Sequence, residues 1–340
     1  MNVLIASAGR RNYLIEYFKA ALGDDGLVIA ADASPRAPAL YQADRAFLVP
    51  AAADPGYLEA MVRICRRNEV SLVLSVNDLE LPFLAANRDA FAAVGTLALV
   101  SDPDTIHMCH DKLLTAAFLG GIGVGSPRTA DPDDVPTLVA SGELRFPLMV
   151  KPRFGSASAG LEVVEDRAEL EAALTLAAAR DRRERHSVSA RHGVSSVVVQ
   201  EYVSGEEYGL DVINDLHGNH VAVAVKRKLA MRAGETDRAL TVEDGHLRSI
   251  GAAIGTATRH VGNLDCDVLV SEDRTVVIDL NPRFGGGYPF SHAAGVNLPA
   301  AILCWLRDGT PDPAWFVCRP GVAFAKYDQV TAVDGPIETA

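Results

Sequence analysis

Residues 276–288 of this chain read Val-Val-Ile-Asp-Leu-Asn-Pro-Arg-Phe-Gly-Gly-Gly-Tyr, an apolar stretch that runs into an arginine and three glycines. The apolar part has the composition of a β-strand, and side chains alternate between the two faces of a strand. Asp279 and Asn281 therefore share one face. Two oxygen ligands at this spacing suit Mg²⁺, which prefers hard oxygen donors, and Mn²⁺ takes similar ligands. The stretch predicts a metal site at the end of a strand.

Residues on both sides of that strand extend the predicted site. Asp265 comes just before the first strand of a hairpin predicted over 268–280, and it can project a third oxygen to the same place. Arg283 follows within reach of a phosphoryl or carboxylate group, which its planar guanidinium can bind through two hydrogen bonds. The triglycine 285–287 permits close approach of the backbone to a ligand.

A second informative stretch is Val-Val-Val-Gln-Glu-Tyr-Val-Ser-Gly-Glu-Glu-Tyr, residues 197–208. It predicts a strand, a short extended linker, a turn at Gly205 and a second strand. The backbone groups of an extended linker can bind the edge of an adenine ring, because no neighbouring strand uses them. Glu207 can accept hydrogen bonds from ribose hydroxyls. The alternative is a pair of exposed acids at the strand ends.

Lys151 closes a third apolar strand, predicted over 147–151, and precedes a loop of small residues. Such a loop lets backbone N–H groups approach phosphate oxygens. The residues alone leave both a phosphate-binding loop and a surface turn open. The candidate loop residues are Gly155, Ser156, Ala157, Ser158 and Gly160.

The first hundred residues alternate short apolar strands with helices, which predicts a doubly wound parallel sheet. The predicted strands cover 3–6, 27–31, 70–76 and 97–100, and a single helix is expected from about 101 to 119 after them. Ligands of such sheets lie at the carboxyl ends of the strands. We therefore expect substrate contacts from Arg10, Arg11, Asp78 and Glu80.

Together with His-Asp-Lys at 110–112, these segments resemble the ATP-grasp superfamily, most of all its members similar to carbamoyl-phosphate synthase large subunit and biotin carboxylase. The likeness covers nearly the whole chain. It implies an α/β N-terminal domain over 1–102 and then a two-lobed α+β ATP-grasp fold. The expected lobes are a first subdomain over 103–195 and a C-terminal subdomain with its tail over 196–340.

The resemblance also implies roles for individual residues. Lys112 and Lys151 would contact ATP phosphates, with the loop 155–160 closing over them. Asp265, Asp279 and Asn281 would hold Mg²⁺, with aspartate at positions where the family often has a longer glutamate or glutamine. Glu201, Tyr202 and Val203 would contact adenine, and Glu207 would bind ribose. Arg283 would contact the transferring phosphoryl group or the acyl phosphate. The catalytic residues would be Lys151 and Arg283.

The implied activity is that of an ATP- and Mg²⁺-dependent carboxylate–amine ligase, which forms an amide through an acyl phosphate and releases ADP and phosphate. The expected partners are a small-molecule carboxylate and an amine. The first alternative is an ATP-dependent carboxylase or small-molecule kinase on the same fold, and the second is a nucleotide-binding regulatory module. Further candidates for substrate contact are Lys226, Arg232, Glu235, Gly286, Gly287 and Tyr288.

The composition is that of a globular chain of 340 residues, with 49% hydrophobic and 22% charged residues. Asp and Glu number 44 against 32 Lys and Arg, so the chain lacks the basic footprint of a non-specific nucleic-acid binder. No apolar run reaches the roughly 18 residues of a membrane span. Five cysteines, an odd number, predict reduced thiols in a cytoplasmic protein. A homodimer is the default expectation, and the arginine-rich stretch 180–193 is either a solvated connection or a phosphate-binding arm.

Overall fold

The computed structural model describes residues 1–154, 160–183 and 194–340, which form three β-sheets and the helices around them. The strands are β1 (Asn2–Ala6), β2 (Val28–Asp32), β3 (Arg45–Leu48), β4 (Val70–Ser75), β5 (Leu97–Ala98), β6 (Thr129–Ala130), β7 (Leu148–Pro152), β8 (Glu162–Val164), β9 (Val197–Glu201), β10 (Glu206–Asn214), β11 (His220–Arg232), β12 (Glu235–Thr241), β13 (Gly262–Val270), β14 (Thr275–Asn281), β15 (Ala323–Ala325) and β16 (Glu338–Thr339). The helices are α1 (Asn12–Leu22), α2 (Tyr57–Arg67), α3 (Leu81–Ala86), α4 (Arg88–Ala92), α5 (Pro103–His110), α6 (Lys112–Gly121), α7 (Val135–Ser141), α8 (Arg167–Arg183), α9 (Gly245–Thr258), α10 (Tyr288–Ala293) and α11 (Leu298–Trp305).

The N-terminal sheet is parallel throughout, in the order β16-β3-β2-β1-β4-β5. Val3 and Ile5 of β1 pack into one hydrophobic cluster with α1, and Leu4 packs into another with α2 on the opposite face. Strands that are covered on both faces need apolar residues at every position, which is why β1 and β2 read as continuous apolar runs. The prediction of a doubly wound parallel sheet is confirmed.

The second sheet is small and antiparallel, in the order β6-β9-β7-β8. Leu148, Val150 and Val199 pack with Val135 of α7 and Leu170 of α8 into a separate core. Because β9 pairs with β7, residues 197–201 belong to the same sheet as Lys151.

The third sheet is also antiparallel, in the order β14-β13-β10-β11-β12-β15. Its core packs Val212, Val223 and Leu264 of the sheet against Ile254 of α9. The second and third sheets are the two lobes that the resemblance implies, and the two-lobed α+β expectation is confirmed.

Two predicted elements differ from the observed ones. The helix expected over 101–119 is two helices, α5 and α6, because Asp111 between them is extended and its carboxylate accepts the backbone N–H of Leu113 at 2.9 Å as an N-cap. Strand β13 begins at Gly262, so Asp265 lies inside a strand rather than before one. Its carboxylate and that of Asp267 alternate with buried apolar residues, and this polar spacing concealed the strand.

The C-terminal tail returns to the N-terminal sheet. After β15, which lies on the third sheet, the chain runs to β16, which pairs in parallel with β3. The Arg45 Nη2 and Glu338 Oε1 atoms lie 2.6 Å apart beside this pairing. The tail therefore connects the third sheet back to the first.

Within the described residues, no helix is long and apolar enough to cross a membrane. All five cysteines are free thiols, and all but Cys304 are buried. Burial raises the pKa of the Cys65 thiol to about 11, so this side chain packs as a small apolar group.

Candidate active site

A cavity of about 1650 Å³ opens where the three sheets meet. A pocket for one small molecule occupies roughly 300–1,000 Å³, so this one has room for a nucleotide and a second substrate. The residues singled out from the sequence that line it are Arg10, Arg11, Asp78, Glu80, Gly160, Glu207, Glu235, Asp265, Asp279, Asn281, Arg283, Gly286 and Gly287.

The hairpin of β13 and β14 carries the acids of this cavity. Asp267 lies directly opposite Asp279, and Asp265 lies opposite Asn281. Burial, opposed by the Lys228 ammonium, raises the pKa of Asp267 to about 6. Within the described residues, no group of three or more His, Cys, Asp and Glu side chains is arranged to hold a metal by itself. The hairpin thus places three carboxylates and one amide on one wall of the cavity. They form two cross-strand pairs, one of two carboxylates and one of a carboxylate and the amide.

The two carboxylates of β13 have different partners. Oδ2 of Asp265 accepts a hydrogen bond from Nη1 of Arg283 at 3.1 Å, so this acid, which the resemblance implied as a metal ligand, is engaged by the arginine. Asp267 instead faces Asp279 across the hairpin. Sequence reasoning missed Asp267, although its position two residues after Asp265 places both on the same face of a strand.

Two lysines approach Asp279 from different elements. Lys112, at the start of α6, has its Nζ 3.6 Å from Oδ1 of Asp279. Lys151, in β7, donates from Nζ to the carbonyl of Ile278 at 3.3 Å. Burial lowers the pKa of Lys151 to about 8, against the opposing effect of Asp279. These lysines, predicted as phosphate contacts from distant parts of the chain, lie beside the same strand.

A third lysine, Lys228 in β11, lines the cavity and was not singled out from the sequence. Its Nζ lies 2.7 Å from Oε1 of Glu207 and 2.7 Å from Oδ1 of Asp267. Burial alone lowers the pKa of Lys228, but the carboxylates of Asp267 and Glu207 outweigh it and raise the pKa. The pairing register of β10 with β11 brings Lys228 to Glu207, a long-range contact that no local motif reveals.

The linker between β9 and β10 lies beyond the residues that line the cavity. The carboxylate of Glu201 is paired with Arg274, whose Nη2 lies 2.6 Å from Oε1, and its backbone N–H bonds the carbonyl of Arg128. Tyr202 is 40% exposed. Of the segment predicted to bind the nucleoside, Glu207 is the residue that reaches the cavity.

Arg283 lies at the boundary between the third sheet and the N-terminal domain. Its Nε and Nη2 donate to the two carboxylate oxygens of Asp78 at 2.9 and 3.0 Å. Its Nη1 donates to Asp265 and, at 3.4 Å, to the carbonyl of Phe284. The guanidinium therefore bridges a carboxylate of the first sheet and one of the third.

The triglycine is required by close packing rather than by positive φ angles. A Cβ on Gly285 would lie 2.1 Å from Cγ of Asp265, and one on Gly287 would lie 2.6 Å from Cε of Lys226. At Gly286 the nearest atom is Oε2 at the end of the Glu235 side chain, at 3.2 Å. The loop can pass between these side chains only because it carries none of its own at its two outer positions.

The N-terminal candidates divide into those that hold the loops and those that face the third sheet. Glu80 is almost fully buried and accepts hydrogen bonds from the hydroxyls of Ser7, Tyr57 and Ser75, which fixes the ends of β1 and β4. Arg11 crosses to Glu235 of β12, with its Nη1 2.6 Å from Oε1. Both contacts shape the crevice at the carboxyl ends of the parallel strands.

Three candidates for substrate contact lie elsewhere, which corrects their predicted placement. Lys226 is 1% exposed and its Nζ lies 2.5 Å from Oδ2 of Asp211. It shares a face of β11 with Lys228, but Gly287 and Ser291 of α10 cover it. Tyr288 is fully buried and its hydroxyl donates to the carbonyl of Val296. Arg232 extends from the surface into ion pairs with two acids, Asp237 and Asp328.

Part of the predicted phosphate loop lies outside the described residues, namely Gly155, Ser156, Ala157 and Ser158. Gly160, at its end, is described and lines the cavity with a φ of +75°. Most of the arginine-rich stretch also lies outside them, from residue 184 to residue 193, whereas Arg180 lines the cavity.

Comparison with protein families agrees with this geometry. Residues 144–289 match the model of an ATP-grasp domain, and residues 3–99 match the model of a PylC-like N-terminal domain. The chain carries an ATP-grasp domain. In this ATP-grasp protein the two matches cover the parallel sheet apart from β16 and most of the two lobes, including the cavity wall formed by β13 and β14.

Two curated relatives are ligases or synthases. A D-alanine–D-alanine ligase from Marinomonas sp. (strain MWYL1) is 28% identical over 117 residues, which is 34% of this chain and 33% of the relative. The carbamoyl phosphate synthase large chain of Methanosphaerula palustris is 24% identical over 258 residues, which is 71% of this chain and 22% of the relative. The match thus spans a third or less of each relative.

Solved structures share the fold at low identity. An L-amino acid ligase from Bacillus licheniformis superposes with a TM-score of 0.68 at 21% identity, covering 89% of this chain and 74% of that one. A biotin carboxylase from Campylobacter jejuni gives a TM-score of 0.71 at 16% identity, covering 95% and 74%. Both likenesses establish the ATP-grasp architecture of the chain.

Proposed function

We propose that this ATP-grasp protein is an ATP- and Mg²⁺-dependent carboxylate–amine ligase. A carboxylate oxygen of one substrate would attack the γ-phosphorus of ATP and expel ADP. The amine of a second substrate would then attack the acyl carbon, expel phosphate and lose its proton to water. The observation that carries the proposal is the wall of β13 and β14: Asp267 and Asp279 line the cavity with Lys228, and Lys112 and Lys151 lie against the same wall from behind. Arg283 faces the N-terminal crevice of the same cavity.

The lysine-rich end of the cavity suits the triphosphate. Lys112, Lys151 and Lys228 bring cationic groups from α6, β7 and β11 to the wall that carries Asp279. Phosphoryl transfer depends on positioning and on neutralising phosphate charge, so cations from three separate elements support this role. Glu207, already bonded to Lys228, is placed to accept a ribose hydroxyl. Adenine contacts from residues 201–203 remain a prediction.

Asp267, Asp279 and Asn281 fit a Mg²⁺ ion. Mg²⁺ in nucleotide sites is held by one or two carboxylates and completes its octahedron with phosphate oxygens and water. Two facing carboxylates beside an amide oxygen offer this partial cage. When bound, the ion would neutralise charge on the transferring phosphoryl group.

The other end of the cavity suits the acid and amine substrates. Arg283 is placed to meet the acyl group, and the triglycine brings backbone close to the same point. Arg11 and Glu235 lie next to it and join the N-terminal domain to β12. The amine would enter from the crevice at the ends of β1 and β4, where ligands of parallel sheets bind.

Carboxylation is the second candidate, because a biotin carboxylase shares the fold over 95% of the chain. In that reaction bicarbonate would take the place of the organic acid. Bicarbonate and the acceptor of its carboxyl group would both have to enter the cavity of about 1650 Å³, so the products decide between the two reactions.

The test is product analysis with Mg-ATP over pools of amino acids and other carboxylates, with and without bicarbonate. ADP and phosphate that form only with one acid–amine pair, together with a product mass equal to their sum less water, would support the ligase. A bicarbonate requirement without an added acid would favour the carboxylase. A phosphorylated product as the end point would favour a kinase, and AMP with pyrophosphate would contradict the mechanism.

A matched pair of variants ties the activity to this cavity. Asp279→Asn removes one carboxylate of the facing pair and is expected to lower ADP release by at least about 100-fold. Asp237→Asn removes an acid of similar setting on β12, which pairs with Arg232 away from the cavity, and is expected to change ADP release by less than about twofold. Equal activity of both variants would contradict the assignment.

A further inference from the structure

The guanidinium of Arg283 is already bound to a carboxylate on the edge that a substrate carboxylate would use. Asp78 accepts from Nε and Nη2 at 2.9 and 3.0 Å, the side-on geometry with two parallel hydrogen bonds. Arginine binds both carboxylates and phosphates through two parallel hydrogen bonds of this kind. Asp78 therefore presents to Arg283 the group that the acid substrate of the proposed ligase would present.

Arg283 does not need Asp78 for its charge to be compensated. Asp265 lies on the other side of the guanidinium, with Oδ2 3.1 Å from Nη1, and it belongs to the neighbouring strand of the same sheet. An exchange of Asp78 for another anion would keep Arg283 paired throughout, which avoids the large cost of an unpaired buried charge.

Asp78 lies where its side chain can be exchanged without unfolding a secondary-structure element. It follows β4 in a short turn in which the Asn77 side chain accepts the N–H of Leu79 at 3.1 Å. Glu80, held by three hydroxyls, anchors the far end of the turn. Leu79 is 65% exposed, so the turn faces open space at this point. Asp78 and Arg283 both line the cavity.

We propose that Asp78 is an internal competitor for the acid substrate. In the ligand-free protein its carboxylate occupies the Nε–Nη2 edge of Arg283, and the carboxylate or acyl-phosphate group of the substrate displaces it. Asp78 thereby determines specificity: only an anion that binds this edge better than an aspartate side chain gains the site. This inference rests on the proposed function in taking Arg283 as the residue that meets the acyl group.

The proposal has a quantitative consequence. When a binding-competent state is populated for only a fraction of the time, the apparent affinity falls by that fraction. If Asp78 occupies the edge for nine-tenths of the time, its removal tightens binding of an acyl-phosphate analogue about tenfold. A residue that only positions Arg283 gives the opposite sign, because its removal would loosen the guanidinium and weaken binding.

The experiment measures phosphonoacetate, a stable analogue in which one methylene joins a carboxylate to a phosphonate. It is titrated calorimetrically into the full chain saturated with MgADP, for the wild type and for Asp78→Ala and Asp78→Asn. Both variants are expected to bind it more tightly, Asp78→Ala by about tenfold. Asp78→Asn keeps the shape of the side chain and serves if the alanine variant folds poorly, which thermal unfolding reports.

Asp265→Asn is the matched control, since it removes the other carboxylate from the same guanidinium. Equal tightening in Asp265→Asn and Asp78→Asn would mean a general charge effect and would overturn the proposal. The proposal would also be overturned if both Asp78 variants bound phosphonoacetate more weakly than the wild type, or if neither variant bound it. The MgADP titration that precedes each measurement separates the two ideas: a wild type that does not bind MgADP contradicts the proposed function itself, whereas normal MgADP binding with unchanged phosphonoacetate affinity contradicts only the competitor role.

Discussion

At the scale of single residues, side chains of the same type play different roles because the sheets surround them with different partners. Lys151 and Lys226 are both buried lysines. Lys226 is paired with the carboxylate of Asp211, whereas the hydrogen bond that Lys151 makes within the described residues goes to the backbone carbonyl of Ile278. The first is a structural ion pair and the second is a cation held ready for an anion. Two predictions follow from this contrast, one for each lysine.

Nucleotide affinity should depend on the protonation of Lys151. Burial lowers the pKa of this lysine to about 8, so it carries its charge below that pH and loses it above. MgADP binding is expected to weaken by about tenfold from pH 7 to pH 9.5, since a neutral amine does not pair with phosphate. Lys151→Arg, which stays charged, should remove the inflection near pH 8. Titration calorimetry across the pH range checks both curves, and a flat wild-type profile would contradict the phosphate role.

Lys226→Met should destabilise the fold rather than alter a substrate contact. It would leave the fully buried carboxylate of Asp211 without its cation, which costs about 3–5 kcal/mol. Arg167→Met is the matched control, because it breaks an exposed ion pair with Glu171 on the surface of α8 and should cost less than about 0.5 kcal/mol. Urea unfolding of both variants measures the difference.

At the scale of elements, the path of the loop after β14 depends on the side chains of the neighbouring strands that pack against it. Asp265 on β13 and Lys226 on β11 lie directly against Gly285 and Gly287, so the loop connects the acids, the buried lysine and Arg283. The three glycines are not equivalent, since the space at Gly286 is limited only by the end of a flexible glutamate.

Gly285→Ala is therefore expected to lower the rate of ADP release by about 100-fold, because a Cβ 2.1 Å from Cγ of Asp265 must displace that carboxylate and Arg283 with it. Gly286→Ala should have a smaller effect, about tenfold or less, because Glu235 can move away. The comparison is made on variants whose unfolding midpoints match that of the wild type. Equal losses in the two variants would contradict the packing explanation.

At the scale of the whole molecule, three sheets share one cavity, and the first and third also share a hydrophobic cluster that contains Val3 of β1 and Ala224 of β11. The C-terminal tail adds a further connection between these two sheets. Ile337 packs against the hydrophobic cluster around α1, and Ala340 packs against the cluster on the opposite face of the N-terminal sheet. The edge strand β3 would otherwise expose its backbone groups, which β16 pairs.

Removal of residues 337–340 should therefore lower stability without altering the cavity. We expect a loss of about 1 kcal/mol, or a Tm lower by about 2–4 °C, from the lost strand pairing and apolar burial. MgADP affinity should stay within about twofold, because the tail strand lies on the far edge of the sheet from β4. Glu338→Gln, which breaks only an exposed ion pair, is the control and should change Tm by less than about 1 °C. A loss of nucleotide binding on truncation would contradict this division.

The sequence by itself determined the architecture and indicated the family. Continuous apolar runs predicted the parallel sheet, and Asp279-Leu-Asn281-Pro-Arg283 with Lys112 and Lys151 pointed to the ATP-grasp superfamily, because these features are local in the chain. Local patterns express the period of a strand, the cap of a helix and the freedom of glycine, and each of these depends only on near neighbours.

Only the tertiary structure decided which of these residues meet. It brought Lys228 to Glu207 and Asp267, buried Lys226 against Asp211, and set Asp78 on Arg283 from 205 positions away along the chain. Asp265 and Asp267 lie on the same face of β13, as their spacing requires, but the structure gives them different partners. Asp265 is bonded to Arg283 and Asp267 is paired with Lys228. The physical reason is that the register between strands fixes these contacts. Register is set by the packing of all three sheets together, and a motif of a few residues carries no information about it.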